Sequence, residues 1–210
     1  MKKTSKQFTK KLRILQRKKY LDDEAKHPRL SALLDMYHAV DVGISIELQE
    51  RKKQKSELAC HRGCCNCCLR PNVPVTPLEL SGILWFATDK LNGEIREQVK
   101  KQLYLHWQNP QCPFLVNSLC SIYPVRPNAC RIIFVFGEPC KSGEKINLTR
   151  PQDSWSFSKG DVVQKIVMTM LPFYGITGKQ KRVEAIDKGF IASISTPMHQ
   201  FSWEELSERM

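Results

Sequence analysis

The chain has 210 residues, 41% of them hydrophobic and 26% charged, and a formal net charge of +12. That length can bury a core without covalent staples, and the composition is that of an ordinary globular chain, which argues against disordered and fibrous classes. No apolar run approaches the roughly 18 residues a membrane span needs, and no apolar stretch follows the basic N-terminus as a secretory signal requires. A cytoplasmic location is expected, where disulfides are rare.

Residues 1–28 read as a basic N-terminal extension. The first twenty include Lys2, Lys3, Lys6, Lys10, Lys11, Arg13, Arg17, Lys18 and Lys19 and no acid. Phe8, Leu12 and Leu15 recur at helical spacing. A solvated, frayed terminus is the simpler expectation. The alternative is a basic helix facing a membrane surface, nucleic acid or an acidic partner.

The rest, residues 29–210, is expected to form one helical domain. Leu30, Leu33, Leu34, Tyr37, Val40, Ile44 and Leu48 form one stripe and predict a long helix over 29–57. Thr76-Pro77-Leu78-Glu79 has the form of a capping box with proline at the first helical position and opens a helix to about 88. Asn92 is placed to cap another, to about 108. Asn117-Ser118 is a turn signal between Phe114–Val116 and Leu119–Tyr123, so a small hairpin is expected. Residues 131–136 are branched and apolar enough for a strand. Val162, Val163, Ile166, Val167, Met170 and Leu171 predict a helix over 161–171, and a short one follows near 179–188. Ser202-Trp203-Glu204-Glu205 again has the capping-box form. The expected fold class is mainly α with a small β-hairpin, a single metal-stapled α+β domain.

The chemistry lies in the cysteines. There are nine, an odd number that excludes complete pairing. Cys60, Cys64, Cys65, Cys67 and Cys68 crowd into nine residues. Cys112, Cys120, Cys130 and Cys140 follow. Thiolates are the soft metal ligands of proteins, and Cys64-x-x-Cys67 is the tight loop that turns two sulfurs toward one ion. Cys60 can reach the same ion. Cys68, adjacent to Cys67, can serve a second metal, bind a cluster edge, or reach back to the first site through a local kink. Eight thiols suffice for two four-cysteine sites, or for one iron–sulfur cluster with a structural zinc. The candidate metal ligands are Cys60, Cys64, Cys67, Cys68, Cys112, Cys120, Cys130 and Cys140, within a metal-binding core at 57–140, and the expected cofactor is zinc or an iron–sulfur cluster.

Four thiolates on a dication leave a net negative charge that is costly to bury unless cations or N–H groups face it. Arg62, Arg70, Arg126 and Arg131 lie near the candidate ligands in sequence. His61 and His106 are weaker candidates, because a lone histidine among surplus thiols is more often a loop or packing residue.

Cys60-x3-Cys64-x2-Cys67-Cys68, then Cys112-Pro113-Phe114-Leu115, then Cys120-x2-Tyr123-x2-Arg126-Pro127-x2-Cys130-Arg131, resembles the YkgJ-type cysteine-cluster family, a zinc- or iron-chelating domain named for a CxxCxxCC motif. Two features depart from its pattern: the first gap is three residues, and Cys65 has no place in the motif. The resemblance implies metal chelation. Some flagellin lysine N-methylases are similar and carry the motif with an iron–sulfur cluster, so an iron–sulfur enzyme is one alternative. No glycine-rich S-adenosylmethionine loop after a strand supports methyl transfer here. The other alternative is a zinc-scaffolded protein that binds nucleic acid or a partner through its basic N-terminus.

Overall fold

A computed structural model describes residues 15–54, 57–69, 72–156 and 166–210. Most of the basic extension, including Phe8 and Leu12, lies outside the described residues, as do Arg70 and the first half of the 161–171 helix. The architecture is mainly helical, with three two-stranded antiparallel sheets. No helix among the described residues is long and apolar enough to cross a membrane.

The chain gathers into two compact units, each built from separated stretches. The first comprises Met1–Ser56, Thr76–Ser81 and Ser156–Ser195. Its main element is the predicted long helix, Pro28–Lys53, with proline in its first turn. Burial exceeds the predicted stripe. Met36, Ala39, Val42 and Ile46 are buried as well as Leu30, Leu33 and Tyr37, because the helix is apolar around most of its girth rather than on one face.

Arg17 ties the preceding short helix, Leu21–Lys26, to the long one. Its guanidinium donates to Glu24 Oε2 at 2.7 Å and to the Ser31 carbonyl at 3.0 Å, and it pairs with Asp35. This one basic residue of the N-terminal run is a structural clamp rather than a solvated charge. The capping box predicted at Thr76 is made. The Thr76 amide donates to Glu79 Oε2 at 2.9 Å, and the Glu79 amide donates back to Thr76 Oγ1 at 3.3 Å. Residues 166–170, the described part of the helix predicted over 161–171, are helical and lead into a 3-10 turn, Leu171–Tyr174. The last predicted helix of this unit runs over Lys179–Asp187.

The second unit comprises Glu57–Val75, Gly82–Trp155 and Thr196–Met210 and holds all nine cysteines. Helix Gly93–Tyr104 begins after Asn92, as expected, but Asn92 makes no side-chain cap bond. The helix is also shorter than expected, because a separate 3-10 turn takes His106–Gln108. Leu115–Val116 pairs with Leu119–Cys120. The turn between them puts Asn117 at φ 50° and Ser118 at φ 61°, the left-handed pair that a two-residue hairpin needs. The strand predicted from Arg131 is only Ile133–Val135, because Asn128–Arg131 turns as a short helix first.

Near the C-terminus the helix is Glu204–Arg209, and its N-cap is Trp203 with no side-chain cap bond. The cap expected from Ser202 is not made, because packing places Trp203 first. Its ring is buried and meets Phe114 edge-on at 5.3 Å, and its indole N–H donates to the Met198 carbonyl at 2.9 Å.

Candidate metal centre

Two backbone junctions bring the cysteine segments together. Leu58 and Phe136 form an antiparallel bridge. Beside it the Ala59 amide donates to the Val135 carbonyl at 2.8 Å, and the Gly137 amide to the Glu57 carbonyl at 2.9 Å. This sets Cys60 against Val135, whose amide lies 3.4 Å from Cys60 Sγ and donates to it. At the second junction the Cys112 amide donates to the Cys68 carbonyl at 2.8 Å. Residues 44 apart in sequence thus become neighbours through one peptide-to-peptide bond.

Between these junctions the motif folds as two tight turns. The Cys64 amide donates to the His61 carbonyl at 3.1 Å, with Gly63 at φ 86°. A side chain is disfavoured at that φ, so glycine suits the third position of the turn. The chain then closes a 3-10 turn, Asn66–Cys68, and the Cys68 amide donates to the Cys65 carbonyl at 2.8 Å. Asn66 reaches across to donate to the Cys140 carbonyl. Cys140, the most distant cysteine in the sequence, is thereby tied to the motif.

The thiols fall into two neighbourhoods. Cys140 lies within electrostatic reach of Cys60 and Cys64. Cys112 lies within reach of Cys67, Cys120 and Cys130, and Cys67 shares a thiol–thiol hydrogen bond with Cys68. Cys67 belongs to both groups, since it also lies within electrostatic reach of Cys60. Cys65 contributes its carbonyl to the turn. All nine cysteines are free thiols, Cys67 and Cys130 exposed as residues and the others partly so.

Burial governs their ionisation. It pushes the Cys112 thiol up to about 12, against the pull of the Phe114 amide. It raises Cys120 too, against the Ile122 amide and the charges of Arg126 and Arg131. Cys60 and Cys140 are also raised, chiefly by burial. Cys67 is raised by its hydrogen bond to Cys68 and then by burial. These five groups favour the protonated form at neutral pH, and neutral thiols attract one another only weakly. Among the described residues, no three His, Cys, Asp or Glu side chains converge into a metal shell. A cation supplies the attraction that neutral thiols lack, and it must displace their protons to do so.

The donor chemistry suits a soft or borderline metal: sulfur ligands, amide N–H groups aimed at Cys60, Cys112 and Cys120, and guanidinium charge nearby. Of the four arginines singled out in the sequence, Arg62 is exposed. Arg131 is buried, at 4% exposure, and donates to the carbonyls of Arg126 and Pro124, so it also shapes the turn between Cys120 and Cys130. His61 is exposed and hydrogen-bonds the Arg62 carbonyl at 2.9 Å. His106 is buried, with Nδ1 2.9 Å from the Leu103 carbonyl. Sequence reasoning missed Met198, whose Sδ lies 3.9 Å from Cys112 Sγ, and the amides that face the sulfurs. Backbone amides carry no sequence signal, and Met198 lies 86 residues from its partner.

Residues 59–150 match the family model CxxCxxCC, described as "Putative zinc- or iron-chelating domain". The matched segment spans less than half of the chain. It contains Cys60 through Cys140 and both backbone junctions apart from Glu57 and Leu58. No curated protein matches the chain, and no solved structure does.

Proposed function

We propose that this protein binds zinc or iron through Cys60, Cys64, Cys67, Cys68, Cys112, Cys120, Cys130 and Cys140, using a CxxxCxxCC loop closed by downstream cysteines. One observation carries the reading. Within the CxxCxxCC segment, the Cys112 amide bonds the Cys68 carbonyl and the Val135 amide bonds Cys60 Sγ. Backbone from opposite ends of the segment is therefore already joined beside the cysteines before any ion arrives, which supports the reading. The two neighbourhoods suggest a principal centre on Cys67, Cys112, Cys120 and Cys130, with Cys68 beside it. The second group is Cys60, Cys64 and Cys140.

The chain's own residues would hold the ion and supply amide hydrogen bonds to its sulfurs. A bound zinc would act as a structural cross-link, and a bound iron–sulfur cluster would add electron transfer.

Strictly anaerobic purification of the full chain, followed by elemental analysis and thiol titration, tests the proposal. Zinc or iron in stoichiometric amount, with most thiols protected from titration, is the expected result. Iron with acid-labile sulfide and a brown colour assigns a cluster, and colourless protein with zinc assigns zinc. Folded, reduced protein that holds neither metal and titrates all nine thiols overturns it.

A further inference from the structure

We infer that Arg126 is a positioning residue for the metal centre: held on the ring of Tyr123, its guanidinium supplies the positive charge and N–H donors that a cluster of thiolates needs. This rests on the metal-binding reading above and adds a residue outside the ligand set.

The argument starts from an anomaly. Arg126 Nη1 is buried and has no hydrogen-bond partner. A buried guanidinium donor left unpaired costs free energy, more than a neutral one does. Natural structures seldom leave such a group without a reason. The side chain is nevertheless well held. Its Cζ sits 3.6 Å from the centre of the Tyr123 ring, and its own carbonyl accepts a hydrogen bond from Arg131 Nε at 3.0 Å. Both contacts fix position, and neither uses the Nη1 donor.

Two of the candidate ligands lie within electrostatic reach of that cation. The charge of Arg126 acts on Cys67 and on Cys120, one from the motif and one from the hairpin. Arg131 also acts on Cys120, but two of its nitrogens already donate to carbonyls. Among the described residues, Arg126 is a cation of this neighbourhood with a donor to spare. Thiols offer that donor little, whereas thiolates on a metal offer a full acceptor and a negative charge. Tyr123 is 59% exposed. Such a large apolar surface left in water is consistent with a ring that serves as a platform for Arg126 rather than as core.

Zinc(II) and cobalt(II) binding to the full chain, measured by chelator competition under reducing, oxygen-free conditions, tests this. Arg126→Gln should bind about ten- to hundredfold more weakly than the unmodified protein, the usual cost of losing a group that supports metal ligands. Arg126→Lys keeps the charge and should recover most of that loss, to within about threefold. Tyr123→Leu keeps the charge but removes its platform and should fall between the two. A merely structural role would lower the thermal stability of metal-free Arg126→Gln, whereas the positioning role leaves it unchanged. Unaltered affinity in Arg126→Gln overturns the inference while leaving metal binding intact, and so does a lysine variant as weak as the glutamine one. If Arg126→Gln fails to fold, unmodified affinity in Tyr123→Leu overturns it. Failure of the unmodified protein to hold either metal removes the metal-binding reading, and this inference with it.

Discussion

In the long helix, Leu33, Met36 and Val42 are completely buried, while in the cysteine loops none of the nine thiol residues is. The helix keeps its shape through apolar area withdrawn from water over 26 residues. The loops hold theirs through isolated amide-to-carbonyl bonds and sheets of two or three residues per strand. Each such bond contributes only about 0.5–1.5 kcal/mol net, and ordering a single backbone residue costs about as much. The first pattern is sufficient in itself. Under the proposed function, the second is completed by an inorganic contact.

The sharpest way to break this contrast is to strip the metal. A structural zinc contributes on the order of 10 kcal/mol of apparent binding free energy to the fold that holds it. Chelation under reducing conditions should therefore abolish hydrogen-exchange protection at Ala59, Cys112, Val135 and Gly137, and leave it largely intact along Pro28–Lys53. Equal loss in both regions would erase the distinction. The stripped protein should also be sensitive to alkali. Folded Cys112 keeps its proton up to a pKa of about 12, and the ordinary thiol value is 9.0. Between those values the folded state binds more protons than the unfolded state, so stability falls as pH rises through that window. The loaded protein, its thiols already deprotonated, should not show the slope in denaturant midpoints measured between pH 8 and pH 11.

Leu33→Ala comes next in size. It removes a fully buried side chain and should cost about 2–5 kcal/mol in chemical denaturation, with metal content unchanged. A fall in metal content would join what the contrast separates. Thr76→Ala is the mildest change. It deletes one side of the capping box and should cost about 1 kcal/mol, read as a small shift in the thermal midpoint and again without effect on metal.

Sequence alone made local features legible and distant ones not. The capping box at Thr76 and the turn at Asn117-Ser118 are decided within a few residues, and each is found, whereas the helix expected over 29–57 runs over Pro28–Lys53 and ends four residues early. The cap expected from Ser202 fails because Trp203 must reach Phe114 and the Met198 carbonyl, a demand no local rule contains. Pairing of Pro74–Val75 with Thr196–Pro197 is likewise unreadable, since each strand is two residues long and contains a proline. The cysteines were legible as a motif, because cysteine spacing is chemistry written in the chain. Their division into neighbourhoods was not, because it depends on the Cys112–Cys68 and Ala59–Val135 backbone bonds.

The matched segment ends at residue 150, but the unit that carries it takes in Thr196–Met210 as well. That C-terminal stretch brings Trp203 onto Phe114 and Met198 beside Cys112. A recombinant fragment cut at the family boundaries would leave Phe114 without its aromatic neighbour and expose an oily surface prone to self-association. A minimal version of this molecule has to splice its last fifteen residues back on.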